Sequence, residues 1–200
     1  MAVRTRRLAL VFLLLLLLPA CWVYSVHPLV ADDDELAFDK ELLGAWSDAS
    51  GCALTFSRFF DEKMYRVVYA APPAGPGGGC LIDRGQTAAF DGRMIEIGHF
   101  RFLDLFPVDR ESRHHQIRLH SFYRIKVERE ALQLTPLNLD WLRQQVREHR
   151  LSLEGRDDAD QAFVLTSITK DLQDFLRAYG GSEEAFSSAR RLNFQRRREP

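Results

Sequence analysis

Cysteine is scarce in this chain, three residues in 200, and no pair stands in Cys-x-x-Cys spacing, which removes zinc ribbons and thioredoxin-type redox motifs. Other catalytic signatures are missing as well. There is no Gly-x-Ser-x-Gly elbow, no His-Glu-x-x-His and no phosphate loop, because Gly75, Gly77, Gly78 and Gly79 follow prolines and open no helix. His114, His115 and His120 form the one histidine cluster. On a regular strand His114 and His120 stand about 20 Å apart, too far to share a metal ion. His115 can meet His99 or Asp104 from a neighbouring strand, but exposed surface histidines are the simpler reading. Asp157, Asp158 and Asp160 lack the glycine and distal acid of a calcium loop and read as a solvated turn. No cofactor or metal is implied, and no internal repeat is present.

What is there begins at the start. Arg4, Arg6 and Arg7 precede an unbroken apolar run over 8–18, followed by Pro19, Ala20 and Cys21. Eleven apolar residues suit a secretory signal, which needs about 7 to 15, rather than a spanning helix of about 20. Leu18-Pro19-Ala20-Cys21 resembles the cleavage motif of bacterial lipoprotein precursors, with Pro19 as its one departure. The resemblance implies a diacylated Cys21 as the mature N-terminus, anchored outside the cytoplasm in the cell envelope. Two rivals remain open. Read on through Val26, the apolar stretch reaches nineteen residues, enough for an uncleaved signal anchor. Plain secretion fits worst, since Leu18 stands where signal peptidase needs a small residue. Under either anchored fate the arginines stay inside and the domain lies outside.

Residues 1–20 carry three arginines and no acid, so the remainder has 24 basic against 28 acidic side chains. That balance gives no reason to invoke nucleic acid. Arg190, Arg191, Arg196, Arg197 and Arg198 cluster near the C-terminus without an intervening acid. They read as a solvated basic tail, with anionic headgroups as the alternative contact. The chain divides into a signal peptide over 1–20, an acylated N-terminus and acidic, solvated tether over 21–35, one β-rich domain over 36–181, and a C-terminal helix and basic tail over 182–200.

Residues 52–60 and 64–71 alternate as two strands of a hairpin. Setting Phe60 opposite Tyr65 places Leu54, Phe56 and Phe60 on one apolar face with Tyr65, Val67 and Tyr69. That register leaves Cys52 beside the Pro-Gly loop that delivers Cys80, so a disulfide can close in an exporting compartment. A one-residue slip would leave both thiols free. Residues 86–97 and 100–106 read as strands, turning either at Gly98-His99 or at Asp91-Gly92. Residues 116–129 alternate clearly. Ile117, Leu119, Tyr123, Ile125 and Val127 face a core, while Gln116, Arg118, His120, Arg124 and Lys126 face water. A helix over 139–150 takes Asn138 as its cap, a strand follows over 162–166, and Thr169 caps a second helix ending at Gly180-Gly181. Ser182 opens a last, weaker helix.

Gly44-Ala45-Trp46 resembles the first-strand signature of lipocalins, in which the tryptophan plugs the closed end of an eight-stranded barrel. The fold class expected is therefore α+β, mainly β: an antiparallel curled sheet or lipocalin-like barrel with one inserted helix and C-terminal helices. The chain also resembles a loose group of uncharacterised bacterial lipoproteins through Cys21, the segment 24–29, Leu42 to Trp46, 102–107, 140–142 and 172–176. That likeness implies anchoring and no activity.

Two functional classes follow. One is a non-catalytic envelope module binding a hydrophobic ligand or an envelope protein, marked by an apolar pocket. The other is an envelope hydrolase, marked by convergence of His120, Asp104 and Tyr123 in a cleft.

Overall fold

Alternating apolar residues, in through Leu54, Phe56, Tyr65, Val67 and Tyr69 and out between them, need a surface that closes on itself to bury one face of every strand. The computed structural model of the chain describes residues 22–31, 35–59, 63–73, 80, 82–108, 118–158 and 162–197. It contains, in order, β1 (Val23–Ser25), β2 (Leu36–Ala37), β3 (Gly44–Ser47), β4 (Ala53–Arg58), β5 (Met64–Ala70), β6 (Thr87–Ile97), β7 (Phe100–Pro107), β8 (His120–Glu128) and β9 (Ala131–Pro136). Then come α1 (Leu139–Arg147), β10 (Gly155–Asp157), β11 (Phe163–Leu165), α2 (Thr169–Tyr179) and β12 (Leu192–Arg196). No helix among the described residues is long and apolar enough to cross a membrane.

Strands β3 to β9 pair with their neighbours in sequence, and β12 pairs with both β9 and β3. This closes an eight-stranded antiparallel barrel. The β4–β5 register sets Arg58 opposite Tyr65 and Leu54 opposite Tyr69. It is two residues away from the expected one, an even slip that keeps every side chain on its face. Phe60 lies outside the described residues. The turn after β6 falls at Gly98-His99, with φ of 62° at Gly98 alone, the pattern of a hairpin turn with glycine first. Asp91-Gly92 runs through the middle of β6, where a Cβ on Gly92 would meet Val67 Cγ2 at 2.8 Å. Packing inside the barrel, rather than a turn, requires that glycine.

The apolar residues fall into two cores. The first fills the barrel and includes Trp46, Phe56, Tyr65, Leu103, Tyr123, Leu132 and Phe194. The second lies outside the barrel wall, where Ile95, Ile97, Phe102 and Phe122 are covered by α1, α2 and the segment 29–30. The face of β8 expected to be wet is therefore mostly covered: Phe122 is buried, and Arg124 donates to the carbonyls of Gly180 and Phe186. Of the strand, only Lys126 and Glu128 are exposed.

Five expectations need correction. The described part of the 21–35 tether is not solvated. β1 pairs parallel with β11 and antiparallel with β8, Ser25 and Leu29 are wholly buried, and Val30 nearly so. Burying a leucine or valine stabilises by about 1.5–3 kcal/mol, which holds the segment in place beside the acidic patch Asp32 to Glu35; of that patch only Glu35 is among the described residues, and it accepts from Gln173. No α-helix starts at Ser182: its hydroxyl accepts from the amides of Glu184 and Ala185 for one turn, Phe186 plugs the outer core, a single 3-10 turn follows over Ser188–Arg190, and the chain becomes β12. The basic cluster is consequently not a loose tail, because Arg190 pairs with Asp140 and Arg196 packs inward, although Arg198 lies outside the described residues. Helix α1 stops at Arg147 since His149 turns left-handed, φ 51°. Ile168, not Thr169, is the cap of α2, and the Thr169 hydroxyl donates to Pro28 instead.

Candidate functional site

The pairing of β8 determines where the barrel opens. Its residues 123–128 pair with β9, whereas His120 and Ser121 pair with Ser25 and Tyr24 of β1. β8 therefore changes partner at Phe122, and the sheet forks into the barrel wall and an outer branch of β1, β11 and β10. Away from the fork, β12 reaches β3 through only two residue pairs, Gln195 with Ser47 and Arg196 with Trp46, which leaves Leu192 to Phe194 at the fork end without a partner in β3. The barrel is thus sealed at the Trp46 end and loosely joined at the other.

A cavity of about 180 Å³ occupies that looser end. Its deep wall is buried Leu54, Leu105, Leu134 and Phe194, and its rim is half-buried Trp22, Ile82, Phe90 and Leu192. The disulfide between Cys52 and Cys80 stands next to the rim, and Cys80 lies two residues from Ile82. It ties the loop between β5 and β6 to the start of β4, as the hairpin geometry allowed. Polar atoms on the described lining gather at one spot, where Tyr24, Tyr69, Ser121 and Tyr123 meet. Burial pushes the Tyr123 hydroxyl well above the ordinary tyrosine range, the neighbouring Tyr24 and Tyr69 push the same way, and a hydrogen bond with Ser121 opposes them. The spot therefore stays neutral at physiological pH. It can donate and accept hydrogen bonds but has no group that titrates near neutrality, so it suits orienting a ligand rather than moving protons.

The three residues proposed as a polar group do not converge. His120 Nδ1 lies 2.8 Å from Asp104 Oδ1, and the other oxygen of Asp104 accepts from the Leu29 amide at 2.9 Å. Tyr123 points to the opposite side of β8, into the barrel. The Asp104–His120 pair is covered by Phe106, whose ring centroid is 4.6 Å from the imidazole, and by the N-terminal segment. Its visible task is to clasp that segment to the barrel.

The other candidates separate in the same way. Cys21, His114, His115 and Asp160 lie outside the described residues. His99 is exposed at the β6–β7 turn. Asp157 sits in β10 between Arg143 and Arg147, at 2.5 and 3.1 Å, and these two arginines hold its carboxyl below the usual range despite some desolvation. Among the described residues no three histidine, cysteine or acidic groups stand together as a metal site. The residues that sequence reasoning missed are Trp22, Tyr24 and Leu192, each on a segment read as tether or tail. Their signal was weak, since two aromatics two apart also fit an interfacial anchor.

No protein-family model, curated protein or solved structure matches the chain.

Proposed function

We propose that this protein is a membrane-anchored, extracytoplasmic lipoprotein of the cell envelope, a non-catalytic module whose lipocalin-like barrel holds a small apolar ligand. The cavity beside the fork carries this reading. Its described walls are mostly leucine and aromatic side chains, and the polar spot among them is made of uncharged hydroxyls. At about 180 Å³ it lies below the roughly 300–1,000 Å³ of drug-sized sites and near the roughly 150 Å³ of an apolar cavity able to bind benzene or xenon. The ligand class is accordingly one ring or one alkyl chain, with an oxygen-bearing head that a tyrosine or serine hydroxyl can orient. Anchoring rests on the Arg4 to Cys21 leader, with the sulfur of Cys21 as the acyl carrier.

Titration of the protein with hexanol, followed by methyl NMR, tests the ligand class. Saturable shifts confined to Leu54, Leu105, Leu134 and Leu192 support it. Shifts spread evenly over both cores, or none, defeat it. Replacing Cys21 by serine tests the anchor separately, through loss of sedimentation with membranes.

A further inference from the structure

The N-terminal segment has no slack. The Trp22 carbonyl accepts from the Phe163 amide, Val23 to Ser25 pair with β11, Tyr24 and Ser25 pair with β8 as well, and the Leu29 amide is held by Asp104. Trp22 is also part of the cavity rim. Cys21 directly precedes it in the sequence. With acyl chains on Cys21, the lipid phase begins one residue from the cavity mouth. A tether of fifteen residues would have let the domain tumble freely above the bilayer. The chain instead joins the outer branch of the sheet at once, and the rim cannot move far from the membrane.

From this we infer that the barrel docks on the bilayer with the Trp22 side of its cavity against the lipid, and that the occupant of the cavity is an alkyl chain of a bilayer lipid. The inference rests on the membrane-anchoring reading above. Three observations converge on it. The rim is apolar and aromatic, Trp22 and Tyr24 being residue types that favour the headgroup level of a membrane. The cavity has room for part of one chain and not for a whole lipid. Its hydroxyl cluster is uncharged, as suits an ester or alcohol oxygen rather than a phosphate.

The test uses the full chain, extracted from membranes in detergent and reconstituted into phosphatidylcholine vesicles with or without bromine on the acyl chains. Bromine quenches tryptophan on contact. Of the three tryptophans, Trp46 is wholly buried at the sealed end and Trp141 packs between α1 and α2 against Phe175 and Tyr179. The expected result is quenching in the brominated vesicles that is lost in Trp22→Phe and retained in Trp141→Phe. Should Trp22→Phe fail to fold, the Trp141→Phe protein decides alone, because quenching there can come only from Trp22. Equal quenching of wild type and Trp22→Phe overturns the docking. Protein that floats with vesicles and is not quenched overturns the docking and leaves anchoring intact, as happens if the chains on Cys21 fill the cavity themselves. Protein that does not float brings down both.

Discussion

The guanidinium of Arg196 lies 4.1 Å above the ring of Trp46 and joins the last strand of the barrel to the first. The same side chain donates to three carbonyls, Arg129 and Leu43 at 2.9 Å each and Glu41. Trp46 in turn donates its indole hydrogen to Leu42 at 2.9 Å. The sealed end of the barrel is therefore a latch made of one cation and one ring, with the turn over 40–42 as its strike plate. Gly44, at φ 115°, completes it, because a Cβ there would stand 3.2 Å from the Arg196 guanidinium.

Removing the latch should loosen the whole molecule. Arg196→Ala forfeits a cation–π contact of about 0.5–2 kcal/mol and strands carbonyls near a covered site. A loss of about 2–3 kcal/mol in urea unfolding is expected, with Arg196→Lys recovering less than half, since an ammonium cannot span three carbonyls in one plane. An unchanged midpoint in Arg196→Ala would show that β12 is held by β9 alone.

Much of this barrel is legible in the sequence, and what is hidden has identifiable causes. β4, β5, β6 and β7 announce themselves by alternation, and parity alone assigned Leu54, Phe56, Tyr65, Val67 and Tyr69 to one face. β12 is too short to declare a period, and the acids at Glu183 and Glu184 imitate a helix start. β1 is hidden by its partners: three residues become a strand only because β8 and β11 flank them. The cavity could not be read at all, since it exists where β8 exchanges β1 for β9. The trio His120, Asp104 and Tyr123 was separable from the start, because an even and an odd position on one strand face opposite ways.

The disulfide is a stability element and a boundary of the ligand site together. Closing a loop across 28 positions stabilises by about 3–4 kcal/mol in the chain-entropy model. Cys52→Ser with Cys80→Ser should lower stability by about that amount and release the loop bearing Ile82 from the cavity. Calorimetry checks the first effect. Hexanol titration checks the second: binding should weaken, and an unaltered affinity would mean that Ile82 holds its place without the crosslink.

Asp104 is 2% exposed, and its two oxygens serve His120 and the Leu29 amide. Asp104→Ala leaves both partners without their acceptor under cover, at about 1–3 kcal/mol each, and should free the segment 23–30 before the barrel unfolds. Amide exchange at Leu29 and Val30 should rise well ahead of exchange in β5. Asp104→Asn keeps one carbonyl acceptor and should retain part of the protection. Simultaneous loss of protection in both regions would show one cooperative unit instead of a barrel with a separable flap.

Tyr65 makes alkaline pH informative. Burial is the main cause that pushes its hydroxyl up from 10.0 to about 12, partly offset by its hydrogen bond to Asp39 and by the positive charges of Arg101 and Arg58. The hydroxyl accepts from the Asp39 amide at 2.7 Å and donates to the Asp39 carbonyl at 3.2 Å, while the ring stacks on Phe38 at 4.9 Å. Between pH 10 and 12 the unfolded chain releases this proton and the folded one keeps it. The unfolded state then binds fewer protons, so stability is whole below pH 10 and falls as pH climbs toward 12. Tyr123, pushed up still further by burial, adds to the same slope. Tyrosinate absorbance should show these two hydroxyls ionising only as the barrel opens, and Tyr65→Phe should flatten the alkaline decline while lowering stability at neutral pH. Free titration of all five tyrosines near pH 10 with the fold intact would mean that water reaches Tyr65 and Tyr123 inside the closed barrel.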